Sequence, residues 1–367
     1  TDFGVYMSRD GGGHWLPLRA GLPTNSVQGL VVHPRENDLV IGTHGRGVWV
    51  LDQINLLETL TPGVVNGHSH LAPPRRAYQI RDVERGRDNT GDSYFTTKNP
   101  PRGAIIDYWI GAAAAGQPVR VEVLDADGVL VRRLEQPAAA RGARRAIWDL
   151  RHEAPPSDSS QSWRKPKGRF VPPGRYQVKL TVGDKTHMQP LAVSLDPAIT
   201  LSGADSAVLE ETLALQARLV AATHHAGKTV GASVEQATAL LKALTERKAS
   251  RALIGQAQAA LAEAERLNVV LNGKAEGLAQ QETVLPLAAL ALRLYTTTEA
   301  YPAAPDSAQR RLTAGAQDDV RQLYRDLARL VGDGLPRLKA ATDAAGVAWP
   351  AAALPQMPAG DFVPAQP

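Results

Sequence analysis

Near residue 200 the period of the apolar pattern changes. Before it, apolar and polar residues alternate singly, as in Val119-Arg120-Val121-Glu122-Val123 and Tyr176-Gln177-Val178-Lys179-Leu180, the two-residue repeat that gives a strand one core face. After it, Leu209, Leu213, Leu219 and Val220 follow helical spacing, as do Leu312, Ala316, Val320, Leu323, Leu327 and Leu330, which step by 4, 4, 3, 4 and 3. Proline divides the same way, with 17 of 26 in residues 1–200 and only 4 in residues 201–349. A helix interior loses a hydrogen bond at each proline, whereas turns between strands accept it. The sequence therefore predicts a multidomain β plus α protein, β first. Its 367 residues suffice for two or three hydrophobic cores at roughly 150 residues each.

Composition excludes several classes. Cysteine is absent, which removes disulfide scaffolds, thiolate metal sites and cysteine nucleophiles together. The 41 basic and 37 acidic side chains leave +4, without the clustered basic excess of a nucleic-acid binder. Apolar runs are broken by charged or amide residues well short of the roughly 18 residues a membrane span needs, so no membrane span is expected. The chain opens Thr1-Asp2-Phe3-Gly4-Val5-Tyr6, strand-like and with neither an initiator Met nor a leader pattern. Processing or a longer parent protein would explain that start.

Residues 1–60 read as one blade of β structure. Ser8-Arg9-Asp10-Gly11-Gly12-Gly13-His14-Trp15 fits S-x-D-x-G-x-x-W without a mismatch. In such a turn the Asp10 carboxylate accepts backbone N–H groups, the glycines take positive φ, and Trp15 folds back as an apolar anchor. Strands through Val27–His33, Asp38–Thr43 and Gly47–Leu51 follow. Short strands at this spacing over about fifty residues are one blade's worth.

The residues Ser8, Asp10, Gly12 and Trp15 form what resembles an Asp box, the bacterial neuraminidase repeat. The continuation from Val31-Val32-His33-Pro34 through Gly45-Arg46-Gly47-Val48-Trp49-Val50-Leu51-Asp52 is similar to the closing blade of bacterial sortilin-type propeller proteins. Members of that family are often labelled glycosyl hydrolases. The resemblance implies an exported protein, periplasmic or extracellular, with an immunoglobulin-like module and a helical segment after its propeller. One blade cannot close a ring, so the partners expected are further blades upstream in the same protein, together with a protein, peptide or glycan ligand.

Residues 61–102 read as a strap and linker, with Leu71 to Pro73 and Tyr78 to Ile80 touching the propeller edge. Within it Arg81, Arg85 and Arg87 alternate with Asp82, Glu84 and Asp88 as a self-paired loop. His68-Ser69-His70 places two imidazoles on one strand face, but without a third ligand no metal site is expected. Residues 103–198 carry six or seven alternating runs and predict an immunoglobulin-like β-sandwich, with Pro155–Gly168 as an exposed insertion. Residues 201–349 predict a helical bundle: a helix to about His224 ended by Gly227 and Gly231, a second through Val234–Leu244, a third stopping at Asn272-Gly273, a fourth starting at Thr283 and Pro286, a fifth with its seam from Leu312 to Leu330, and a sixth from Pro336. His224-His225 is expected at a helix C-terminus, where imidazolium suits the dipole. Residues 350–367, with five prolines, read as a disordered tail.

Glycoside hydrolysis requires two carboxylates about 5 to 10 Å apart, one kept protonated by its surroundings. Asp2, Asp10, Glu36, Asp38 and Asp52 are the candidates, all in turns or at strand ends, with nothing in the sequence pairing them. A sialidase-like site also wants an arginine cluster, and Arg46 with Tyr6 does not make one. No catalytic residue, cofactor or metal ligand is assigned. The reading is a non-catalytic C-terminal region that supports or presents a protein- or peptide-binding propeller, with the alternative of an accessory region of a sialidase- or xyloglucanase-like glycoside hydrolase whose catalytic carboxylates lie upstream.

Overall fold

Five short strands open the chain and fall into two separate sheets. The computed structural model describes residues 1–19, 21–80, 100–157, 165–273, 285–351, 353–358, 360 and 362. These form two compact units, Thr1–Glu153 with Phe170–Thr200, and Ala154–Arg169 with Leu201–Pro367.

In the first unit β1 (Tyr6–Ser8) and β2 (Trp15–Pro17) pair as an antiparallel hairpin with Ser8 opposite Trp15. Strands β3 (Val27–Val32), β4 (Leu39–Thr43) and β5 (Val48–Leu51) form an antiparallel sheet in that order. The hairpin is not hydrogen-bonded into this sheet, so the single blade expected over residues 1–60 is two pieces of sheet. Within the three strands Ile41 on the central strand is fully buried, while Leu30, Val31, Val32, Val48, Trp49 and Val50 are exposed. Successive strand residues point to opposite faces, so each face of this sheet carries exposed apolar side chains, although Ile41 is covered on the face it shares with Leu30 and Trp49. Helices α1 (Asn55–Thr59) and α2 (Pro62–Asn66) follow, and Leu56, Leu60 and Ala72 close a small core there with Trp109 packed against it.

The segment 61–102, expected as a strap, is in its described part structural. Strand β6 (Ser69–Leu71) joins a three-stranded sheet in the order β11 (Gly142–Trp148), β8 (Ala104–Ile110), β6. Strand β7 (Ala77–Gln79) runs parallel to β13 (Lys185–Leu195) at the edge of a five-stranded sheet ordered β10 (Leu130–Leu134), β9 (Val119–Leu124), β12 (Gly174–Val182), β13, β7. Leu71, Ala77 and Gln79 are buried, and buried backbone needs ladder partners. The alternating arginine and carboxylate loop from Arg81 to Asp88 lies outside the described residues.

The two sheets share one core. Ile106, Tyr108 and Ile110 of β8 and Trp148 of β11 meet Val121 and Val123 of β9, Val178 and Leu180 of β12, and Leu191 and Val193 of β13. Trp148 meets the edge of Tyr176 at 5.6 Å between ring centroids, a T-shaped pair of the favoured type. Two glycines set how closely the backbones approach. A Cβ on Gly103, whose φ is +103°, would stand 2.0 Å from the Trp148 carbonyl oxygen, and one on Gly111 would stand 1.8 Å from that of Gly67.

The second unit is helical. Helix α3 (Gly203–Glu246) runs unbroken for 44 residues, followed by α4 (Arg251–Asn272), α5 (Leu287–Ala300) and α6 (Ser307–Arg329), with a π turn at Leu330–Gly334 leading into α7 (Leu335–Ala344). Ser202 caps α3, accepting the Asp205 N–H at 3.1 Å, and Asp306 with Gln309 forms a reciprocal capping box on α6.

Four expectations are corrected here. Gly227 and Gly231 do not end a helix; each costs about 1 kcal/mol relative to alanine, but the buried stripe Thr223, Ala226, Val230, Ser233, Ala237 passes across them and carries the helix through. His224 and His225 consequently lie in mid-helix, away from any dipole terminus. Leu312 is 54% exposed and Thr313 is buried in its place, because eight residues from Leu312 to Val320 overshoot two helical turns by roughly 80°. The segment 350–367 is not a free tail in its described part. Leu354, Met357 and Phe362 pack on the helical core, Thr229 donates to the Gln356 carbonyl at 3.0 Å, and Gln236 donates to that of Ala353 at 3.2 Å. Its prolines remove N–H groups that would otherwise need partners, and apolar residues between them supply the contact. The expected start of the fourth helix at Thr283 lies outside the described residues, as do Trp163 and Arg164 of the Pro155–Gly168 insertion. The C-terminal flank of that insertion is tied to the helical unit, where the Tyr295 hydroxyl donates to the Lys167 carbonyl at 2.7 Å.

Candidate functional site

The β1–β2 turn is built by two side chains. Ser8 Oγ accepts the N–H groups of Gly12 at 2.8 Å and Asp10 at 3.4 Å and donates to Asp10 Oδ1 at 2.9 Å. Asp10 Oδ1 accepts the His14 N–H at 2.8 Å, and Asp10 Oδ2 lies 2.6 Å from His14 Nδ1. Gly11 and Gly12 have φ of +71° and +101°, which side chains rarely adopt. The His14 ring, the His14 backbone N–H and Ser8 together hold the Asp10 carboxyl well below the usual carboxylate range. It is therefore an ionised acceptor, the opposite of the protonated group that general acid catalysis needs. Trp15 is 63% exposed, with its ring about 4.0 Å from where a Gly12 Cβ would be. It lies alongside the turn without being buried by it.

A second polar cluster joins β3–β5 to the double-sheet unit, and here the structure assembles residues that are remote in sequence. Arg75 Nη1 donates to the Glu36 carbonyl at 2.6 Å and to Asp38 Oδ1 at 2.9 Å. Asp38 Oδ1 also accepts the Gln53 N–H at 2.8 Å, while Gln53 Nε2 donates to the Ile105 carbonyl at 3.1 Å. Arg145 forks onto Asp107, Nε to Oδ1 at 2.7 Å and Nη2 to Oδ2 at 2.9 Å, and Nη2 also donates to the Asp52 carbonyl at 2.8 Å. Asp107 is only 4% exposed. Burial, then the neighbouring Asp38, raise the Asp52 carboxyl, with Arg145 and Arg75 opposing.

Of the five carboxylates singled out from sequence, Asp38 and Asp52 thus come into one electrostatic neighbourhood, and Glu36 joins Asp38 on Arg75 at 3.1 Å. Asp10 remains apart in its turn, and Asp2 takes the Ser26 hydroxyl at 3.3 Å. Arg46 is exposed, and its carbonyl accepts the Trp49 indole N–H at 3.1 Å. Sequence reasoning missed Asp107, Arg145, Arg75 and Gln53. The one available signal was Asp107, a charge at the centre of the otherwise apolar run Ala104–Ile110, since buried charges are paired.

Between the hairpin and the three-stranded sheet lies a groove of about 490 Å³, lined by Val5, Tyr6, Met7, Leu18, Leu30, Leu39, Ile54 and Leu57 with Arg9 and Glu58 among its polar residues. Its lining is suited to apolar packing. Among the described residues no set of three or more His, Asp or Glu side chains is arranged to hold a metal ion, and no helix is long and apolar enough to cross a membrane.

No protein-family model matches the chain, and no curated protein sequence matches it.

Proposed function

We propose that this chain is a non-catalytic C-terminal region of an exported, sortilin-like Asp-box propeller protein, and that it supports or presents a propeller that binds protein or peptide. The observation that carries this reading is the sheet β3–β5, which exposes apolar side chains on each face, Leu30, Val32 and Trp49 on one and Val31, Val48 and Val50 on the other. A sheet in a radial stack has neighbours on both sides, whereas the edge of a self-contained domain exposes far less apolar area. Further propeller blades are the occupants that suit two opposite apolar faces at once. The hairpin β1–β2, being separate from β3–β5, belongs in this reading to the preceding blade, with its Asp box shaping the turn through Ser8, Asp10, Gly12 and Trp15.

The double-sheet unit then acts as an immunoglobulin-like support. Its Tyr176 hydroxyl donates back to the Pro172 carbonyl at 2.6 Å, in the manner of a tyrosine corner. Arg145, Asp107, Gln53 and Arg75 fasten it to the blade. The competing reading is an accessory region of a sialidase- or xyloglucanase-like glycoside hydrolase whose catalytic carboxylates lie upstream; within this chain the raised Asp52 carboxyl beside Asp38 is the feature closest to a catalytic acid. Against it, the Asp38 and Asp107 oxygens that face this cluster are taken up by structural donors.

The test compares this chain with the longer product of its gene by amide hydrogen exchange. Residues Leu30–Val32 and Val48–Val50 should become strongly protected in the longer protein, and binding of an apolar dye should fall. Unchanged exchange at both strands in the longer protein would overturn the proposal. Turnover of chromogenic glycosides by this chain that disappears in a folded Asp52→Asn variant would overturn it as well, since a catalytic carboxylate would then lie within the chain itself.

A further inference from the structure

Within the helical unit, α4, α6 and α7 border a groove of about 660 Å³, a volume typical of small-molecule sites. The π turn sets which side chains line it. Arg329 and Arg337 are eight residues apart, as are Leu330 and Leu338, and Asp326 and Gly334, and all six line the groove. In an unbroken α-helix eight residues overshoot two turns by roughly 80°, which would carry the second member of each pair off the face of the first. The Leu335 N–H instead donates to the Leu330 carbonyl five residues back. A turn closed in this way takes up about one residue more and brings each pair back into line. Pro336 accounts for the wider turn, since it has no N–H to offer the Gly332 carbonyl and its ring crowds that oxygen.

The two carboxylates of the groove are each engaged through both oxygens. Arg266 donates from Nε to Glu263 Oε2 at 2.9 Å, and from Nη2 to Glu263 Oε1 at 2.7 Å and Asp326 Oδ2 at 2.8 Å. Asp326 Oδ1 accepts from Arg329 Nη2 at 2.6 Å and Gln322 Nε2 at 2.8 Å. The two arginines of the groove are less committed. Their side chains are 75% and 79% exposed, and each meets a carboxylate through Nη2, that of Arg337 lying 2.7 Å from Asp333 Oδ1. A guanidinium has five N–H donors, so those on Nε and Nη1 are left for a ligand. Arg266, Arg329 and Arg337 balance Glu263, Asp326 and Asp333 in charge. Asp333 is itself exposed, and water replaces Arg337 as its partner at little cost. That exchange frees one positive charge, which a monoanion balances and a phosphate dianion exceeds.

We propose that this groove binds an amphiphilic monocarboxylate, its carboxylate on the guanidinium groups of Arg337 and Arg329 and its apolar body along Ala259, Ala260 and Ala341. The planar fork of a guanidinium matches the two oxygens of a carboxylate. Leu330 and Leu338 are almost fully buried in the helical core, so the apolar contact offered to a ligand comes from the alanines that also line the groove. Their short side chains leave the room that the body of the ligand occupies.

The experiment is titration of the full chain with octanoate, followed by methyl NMR of its alanines. Saturable shifts are expected at Ala259, Ala260 and Ala341. Affinity should fall roughly tenfold in a variant combining Arg329→Gln and Arg337→Gln, because charge-assisted hydrogen bonds are lost. Octan-1-ol has the same chain without the charge and should bind the parent about tenfold more weakly than octanoate. Inorganic phosphate should not displace octanoate. The proposal is overturned by the absence of saturable shifts at those alanines, by equal affinity in the double variant, by octan-1-ol matching octanoate, or by displacement with phosphate. If the double variant does not fold, Arg337→Gln alone decides, since its carboxylate partner Asp333 is exposed: weaker octanoate binding supports the site, and unchanged binding overturns it.

Discussion

Ser8 and Asp10 between them accept the backbone N–H groups of Asp10, Gly12 and His14, in a turn whose glycines leave the backbone otherwise unconstrained. Replacing Asp10 by Ala removes the acceptor of the His14 N–H and the partner of the His14 ring together. Exchange of the His14 amide should accelerate sharply in that variant, while Trp15→Ala should change it little, because Trp15 contributes a mostly solvent-facing ring. Helical circular dichroism should be unaltered in both. The pH dependence has a definite sign. A carboxyl lowered in the fold contributes stability above its unfolded value and loses it only as pH falls through the folded value. Protection of His14 should therefore persist below pH 3.8, the ordinary value for an aspartate, and half-loss at that pH would contradict the geometry. The motif made this turn legible in the sequence. The joint around Asp107 and Arg145 was not, since its members come from positions 38, 53, 75, 107 and 145 and no local spacing links them.

Among the elements, α3 and the short strands depart furthest from local expectation. Two glycines within five residues of α3, Gly227 and Gly231, carry the usual signal of a helix end, yet burial along the stripe from Leu209 to Leu244 outweighs their propensity. At Gly231 an added Cβ would meet nothing within 4 Å. Gly231→Ala should accordingly stabilise the helical unit by up to about 1 kcal/mol, read as a rise of a few degrees in the thermal midpoint at 222 nm; a fall would mean that the helix is interrupted there. Strands β6 and β7, at three residues each, are too short for a two-residue period to register. Their pairing with β8 and β13 depends on partners 41 and 116 positions away in the register, Ser69 with Ile110 and Ala77 with Val193. The mirror case is α6, whose seam was legible except at Leu312, where counting steps of 3 and 4 concealed the accumulated rotation.

At the scale of the whole molecule, the sheet β3–β5 and the double-sheet region belong to one compact unit, and the Asp107–Arg145 pair is the charged centre of their joint. Arg145→Met should destabilise this unit by about 3 kcal/mol, because a nearly buried carboxylate would lose its cation. Adding Asp107→Asn to that variant should recover part of the loss, since both charges are then gone. Urea unfolding followed by tryptophan fluorescence measures both, and a double variant weaker than the single one would show that the joint is held by packing alone.

The amino-acid sequence by itself determined the order of β and helical structure, the Asp10 turn, the strands β8 to β13, the stop at Gly273 and most of the α6 seam. These rest on interactions within a few residues, where side-chain spacing, positive φ and proline restrictions act directly on the local backbone. Only the tertiary structure decided that β1–β2 stands apart from β3–β5, that β6 and β7 complete two sheets, that α3 runs through its glycines, and that Leu354, Met357 and Phe362 cover the helical core. Each of those depends on burial and on partners distant in the chain, which set the free energy of a segment without leaving a mark in its own period.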